Sequence, residues 1–113
     1  MKTSYFAKYK GEKGVSIAQG TPKWFKGKQY LPLCPPWDLI KKVKEDGDTE
    51  YYTREYYDKV LSKLDPVQVY KDLGEDAVLL CWEKSGEFCH RYIVAVWLES
   101  HLGIKIDEYG RAD

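Results

Sequence analysis

A chain of 113 residues, 43% hydrophobic and 32% charged, is sized and composed for one globular domain with one core. Its best apolar run, Tyr92 to Leu98, is far too short to cross a bilayer, and Met1-Lys2-Thr3-Ser4 is followed by no long apolar stretch, so neither a membrane protein nor a signal peptide is expected. Net charge is zero, but residues 1–44 hold ten lysines against Glu12 and Asp38, while residues 45–113 hold eight Lys or Arg against sixteen Asp or Glu.

Such an asymmetry either attracts an anionic partner or cancels when the two halves pack, and cancellation is the plainer expectation. Three cysteines, an odd number in a domain that needs no staples, read as reduced thiols of a cytoplasmic protein.

In chain order, Ser4 to Tyr9 is a short aromatic run that suits an opening strand. Val15 to Ala18 alternates and runs into Gly20-Thr21-Pro22, so it reads as a second strand ending in a turn. Gly20 to Trp37 is a loop rich in Pro, Gly, Lys and aromatics. Pro36 to Lys44 carries Trp37, Ile40 and Val43 at helical spacing. Thr53 to Leu64 reads as a second helix with Tyr56, Tyr57, Val60, Leu61 and Leu64 on one face. Asp65 as N-cap and Pro66 at the first helical position start a third, which stops at Gly74. Ala77 to Trp82 is apolar on both faces, which fits a central strand covered by helices on both sides. A helix from about Phe88 to His101 follows, with Val94, Trp97, Leu98 and His101 or Leu102 as its buried stripe, then Gly103 and a last strand at Ile104 to Ile106. Helices and strands alternate in the second half. The expected architecture is a single α/β domain over 1–113, three-layered, with a mainly parallel sheet flanked by helices.

The stretch LLCWEKSGEFCHR, Leu79 to Arg91, concentrates the chemistry. On a strand, Cys81 and Glu83 share a face at its C-terminal end, where open α/β sheets bind ligands. The next helix aims its N-terminal N–H groups into the same space, which favours an anion. Arg91 in the first helical turn needs a partner: Glu83, Glu87, or a bound phosphate or carboxylate.

Several chemistries compete here. Cys81, Cys89 and His90 with Cys34 or His101 make four zinc ligands on paper. Adjacent Cys-His is an awkward pair, though, and no CxxC or HxxxH is present, so neither metal nor cofactor is assigned. A Cys-x5-Arg phosphatase or rhodanese loop fails on spacing. Cys89 as nucleophile is reasonable beside His90 and Arg91 at a helix N-terminus. The favoured reading is an anion or nucleotide site with Arg91 holding charge, Glu83 as acid/base or hydroxyl ligand, and His90 as second acid/base or orienting group. The plain alternative is architectural, with Cys81 and Cys89 packed and a Glu83–Arg91 pair pinning the loop.

Trp24, Phe25, Tyr30 and Trp37 lie among Lys23, Lys26 and Lys28, an interleaving that either stacks bases over a phosphate backbone or covers a sheet edge. Lys23 and Lys26 are the lysines assigned to anion binding. The Tyr51-Tyr52 and Tyr56-Tyr57 pairs read as half-buried packing residues, and Cys34 as packing.

Cys81-x-Glu83-x5-Cys89-His90-Arg91 after an apolar strand resembles the signature of the DUF488 family of small bacterial, archaeal and phage proteins. Thr3-Ser4-Tyr5-Phe6, Ser16-Ile17, Pro22-Lys23-Trp24-Phe25 and Val94-Ala95-x-Trp97-Leu98 resemble the short branch of that family. Longer members carry Asp-Val-Arg after the second strand, where this chain has Ser16-Ile17-Ala18. The resemblance implies a compact α/β fold and a site around Cys81, Glu83, Cys89, His90 and Arg91. The expectation is a protein that binds, and acts on, an anionic small molecule, nucleotide-like ligand or nucleic acid. The alternative is a non-enzymatic binder or inhibitor with a structural motif.

Overall fold

The computed structural model describes residues 1–109. Five strands form one all-parallel sheet: β1 (Lys2–Tyr5), β2 (Gly14–Ser16), β3 (Lys28–Gln29), β4 (Val78–Cys81) and β5 (Asp107–Glu108), in the order β3-β2-β4-β1-β5. β4 is central and buried on both faces, as its apolar composition requires. Four helices accompany it: α1 (Trp37–Asp46), α2 (Thr49–Lys59), α3 (Pro66–Leu73) and α4 (His90–Leu102). None is long and apolar enough to cross a membrane.

The helix ends follow local chemistry. Gly47 and Gly103 take left-handed conformations that close α1 and α4. Asp65 caps α3 by accepting from the Val67 N–H at 3.0 Å, with Pro66 in the first position, as expected. Asp48 does the same for α2, accepting from Tyr51 N at 3.0 Å. That cap starts α2 at Thr49 instead of Thr53. The helix also ends at Lys59, and a 3-10 turn over Leu61–Lys63 delivers Leu61 to the core. Tyr52 and Tyr56 are buried, whereas Tyr57 faces solvent.

Other boundaries also shift. The first strand is Lys2–Tyr5, because the Tyr5 carbonyl accepts from Lys8 and Tyr9 and turns the chain out of the sheet. The last strand falls at Asp107–Glu108, after Ile104 to Ile106. There the Glu99 carboxylate takes the Ile106 N–H at 2.8 Å, which removes it from any ladder. The long loop contains β3 and a 3-10 turn at Leu31–Leu33. His101 is exposed, with its ring edge-on to Trp97, and is not part of the buried stripe.

Three layers result. All four helices pack on one sheet face, not on both as the apolar strand suggested, in a core that joins Val15, Ile17 and Leu79 to Leu39, Tyr56, Val69, Val94 and Leu98. On the far face the covering layer is made of loop aromatics: Phe6, Tyr9 and Phe25 lie over Val78 and Leu80. Tyr56 ties the helical layer to the loop, its buried hydroxyl donating to the Leu33 carbonyl at 2.6 Å. Tyr56→Phe leaves that carbonyl without its donor and is expected to cost about 1–2 kcal/mol in a urea melt. A midpoint equal to wild type would show that water replaces the bond at no cost.

Candidate functional site

The strand order places a crevice at one spot. From the C-terminal end of β2 the chain runs outward to β3. From that of β4 it crosses by α4 to β5 at the opposite edge. The neighbours β2 and β4 thus send their connections in opposite directions, and ligands bind at such a switch point. A cleft of about 550 Å³ opens there. It is walled by Ala18 to Gly20 after β2, by Trp37, Ile40, Val43 and Lys44 of α1, by Tyr52 of α2, and by Trp82, Glu83 and Phe88 after β4. Cys81, Cys89 and His90 lie at its base. The volume and the predominance of apolar and aromatic walls are those of a small-molecule site.

The aromatic rim is open. Trp37 and Trp82 are 64% and 53% exposed. Trp82 is held across the crevice by its indole N–H, which donates to the Gly20 carbonyl at 2.8 Å. Phe88 stands edge-on to Tyr52 at 5.1 Å between ring centres. Burial, and then the Glu83 charge, push the Tyr52 hydroxyl well above its ordinary range, so it stays protonated.

Cys81 and Cys89 are joined by a disulfide, with Cα atoms 7.4 Å apart. The expectation of three reduced thiols therefore holds in this structure for Cys34 alone. Cys34 is buried, donates to the carbonyls of Ala18 and Tyr30, and has its thiol pushed up to about 11 by burial, against an opposing hydrogen bond with Gln29. Cys89 is the N-cap of α4, its Sγ accepting from the Arg91 N–H at 3.5 Å. His90 begins the helix and is buried. Its Nε2 donates to the Ile17 carbonyl at 2.6 Å, which leaves the Nδ1 lone pair 3.7 Å from Cys89 Sγ. Burial, with the nearby Arg91 charge, lowers the ring to about 4 against the effect of the Ile17 bond, so it is neutral at pH 7.

Arg91 differs most from expectation. It is fully buried, and each of its five N–H donors has a partner within the protein. Nε and Nη2 grip the two carboxylate oxygens of Glu108 at 3.1 and 2.8 Å. Nη1 donates to Cys81 Sγ and to the Glu83 carbonyl, both at 2.8 Å. The other Nη2 donor goes to the Tyr92 hydroxyl at 3.0 Å. No donor is left for an external anion, so Arg91 is a clasp. Its acid is Glu108, not Glu83 or Glu87. Glu108 also accepts from Thr3, Ser85 and Tyr92 and so ties β1, the loop after β4, α4 and β5 together. Glu83 contributes its carbonyl to the clasp and also lines the cleft.

Lys23 and Lys26 are exposed and stand outside the cleft. Lys26 borders a separate hollow on the far face, beside Trp24 and Tyr9. There Lys10 stacks over the Trp24 ring at 3.4 Å. Lys44, which sequence reasoning missed, is the lysine that lines the cleft. Its position two helical turns after Trp37, on the same face of α1, is the signal that was available.

These elements define a class: a small all-parallel α/β domain whose central strand and following helix bring two cysteines, a histidine and a clasped arginine to the sheet's switch point. Residues 10–102 match the profile of the family described as "Active DUF488-N3 subclade", and the chain belongs to the DUF488 family. Comparison with curated proteins and with solved structures returns no match.

Proposed function

We propose that the cleft between β2 and β4 binds a planar, nucleotide-like ligand and acts on it. One observation carries this reading: Glu83, Cys89 and His90 converge on a 550 Å³ cleft rimmed by two exposed tryptophans. Open rings offer stacking faces to a base. Glu83 pairs with the polar edge of the ligand and serves as general acid/base. Lys44 takes the phosphate in the place first assigned to Arg91. The word "active" in the family description fits a chain that keeps Cys81, Glu83, Cys89 and His90 together.

Titration of nucleosides and nucleotides against tryptophan fluorescence tests the binding step. Saturable quenching is expected, and its absence across purine and pyrimidine ligands would sink the proposal. On a ligand that turns over, Glu83→Gln is expected to lower the rate by about a hundredfold or more with little loss of binding. Equal activity in that variant removes Glu83 from the chemistry. A ligand bound tightly and recovered unchanged after long incubation favours the non-enzymatic binder.

A second reading is favoured by the approach of His90 Nδ1 to Cys89 Sγ. In the reduced protein this nitrogen is placed to accept the thiol proton, which would make Cys89 a nucleophile.

A further inference from the structure

We propose that, in the reduced protein, Cys81, Cys89 and His90 form a three-ligand zinc site whose fourth position opens to the cleft. The donor atoms, two Sγ and one imidazole nitrogen, lie within 4.8 Å of one another, and all three side chains are buried. They come from two elements that the fold fixes against each other, the end of β4 and the start of α4. Two thiolates and one imidazole are a soft set that suits zinc.

The surroundings support this use. A metal-bound histidine gives its other ring N–H to a carbonyl or carboxylate, which sets the ring and the tautomer. His90 does so at the Ile17 carbonyl, leaving Nδ1 as the free donor on the side of Cys89. Both sulfurs also receive N–H groups: Cys89 Sγ that of Arg91 at the helix N-terminus, and Cys81 Sγ that of the Arg91 guanidinium. Such donors favour the thiolate, the form that binds metal. The Cα atoms of the pair are 7.4 Å apart. Bonded cysteines usually keep theirs within about 4.4–6.8 Å. Two thiolates that share an ion stand further apart than two bonded sulfurs, and this separation leaves room for that.

Among the described residues no fourth His, Cys or carboxylate joins the group. Cys34 and His101, the paper candidates, are not part of it. A structural zinc has four protein ligands, whereas a catalytic one keeps a position for water or substrate. The open side meets the cleft that Glu83 lines, and an ion there would lower the pKa of a bound water and let Glu83 take its proton. The inference rests on the proposed function for what the open position does, but the ion itself can be counted without any ligand.

The test is metal content and cobalt substitution of the full chain, purified with a thiol reductant and no chelator. One zinc per chain is expected in wild type and in Cys34→Ser. Cobalt in its place should give a sulfur charge-transfer band and tetrahedral d–d bands, lost in Cys81→Ser and Cys89→Ser. Those variants disturb a buried cluster, so a second readout uses wild type alone. Zinc should protect Cys81 and Cys89 from iodoacetamide, and a chelator should restore alkylation. A reduced, folded wild type that takes up no zinc, or a cobalt spectrum without sulfur charge transfer, overturns the proposal. Nucleotide quenching in such zinc-free protein would leave the cleft reading standing. One bound zinc with no quenching by any nucleotide would keep the metal site and remove the cleft reading.

Discussion

Glu108→Ala is expected to destabilise the domain by about 3 kcal/mol, which for a chain of this length lowers Tm by roughly 12 °C. The size follows from what the substitution leaves behind. Arg91 and Glu108 side chains are 0% and 3% exposed. An arginine at that depth without its carboxylate is an uncompensated charge, and the hydroxyl groups of Thr3, Ser85 and Tyr92 lose their acceptor as well. The net worth of the pair is smaller than the cost of breaking it. Arg91→Met with Glu108→Leu is therefore expected to recover much of the loss, and a thermodynamic cycle over wild type, Arg91→Met, Glu108→Leu and the double variant measures the coupling. A single variant that melts within a degree or two of wild type would show that the pair is solvated.

The same carboxylate sets an acid limit. Burial raises the Glu108 carboxyl, but hydrogen bonds from Arg91, Ser85 and Thr3, with the Arg91 charge, outweigh it and hold it at about 2 against an ordinary 4.5. The folded pKa lies below the unfolded one, so the unfolded chain takes up the proton first as pH falls. The stabilisation is complete above about 4.5 and drains away toward 2. Chemical-denaturant melts across that window should fall steeply for wild type and more gently for Glu108→Ala. Parallel pH profiles would remove Glu108 as a source of acid sensitivity.

How far the sequence carries this fold and site can be read from particular residues. β4 is legible because a run apolar on both faces has one place in an α/β domain, at the centre of the sheet. α3 is legible because Asp65, Pro66 and Gly74 are local signals that tertiary contacts do not override. β3 and β5 are not legible. Lys28–Gln29 and Asp107–Glu108 are polar dipeptides, and they become strands only because β2 and β1 offer them edges. Glu108 was missed for the same reason. An arginine in a first helical turn announces that it needs an acid, and nearby Glu83 and Glu87 are the ones spacing suggests. The actual partner lies on β5, which nothing local places beside Arg91. The convergence of Cys81, Glu83, Cys89 and His90 is the part of the site that strand alternation and the helix start do convey. The rim is set instead by α1, whose Trp37 belongs to a helical pattern in sequence and to the cleft in space.

That rim makes the sharpest functional prediction. Trp37→Ala is expected to weaken nucleotide binding by about 1–3 kcal/mol, the cost of removing one base-stacking ring, or roughly tenfold at 1.4 kcal/mol. The variant is clean, because a ring 64% exposed supports little of the core, and its melt should stay within about 0.5 kcal/mol of wild type. Trp82 is less suited, since its ring also packs on Phe6 and its indole N–H bridges to Gly20. Lys44→Ala adds a second discrimination. If Lys44 holds the phosphate, a nucleotide should then bind no better than its nucleoside, while Lys23→Ala and Lys26→Ala, on side chains outside the cleft, should change neither. Isothermal titration of the four variants separates the possibilities. Loss of affinity in the Lys23 and Lys26 variants with none in Trp37→Ala would move the ligand away from the switch point, to the far face where Lys10 and Trp24 stack. The opposite pattern fixes it between β2 and β4, where Cys81, Glu83, Cys89 and His90 lie.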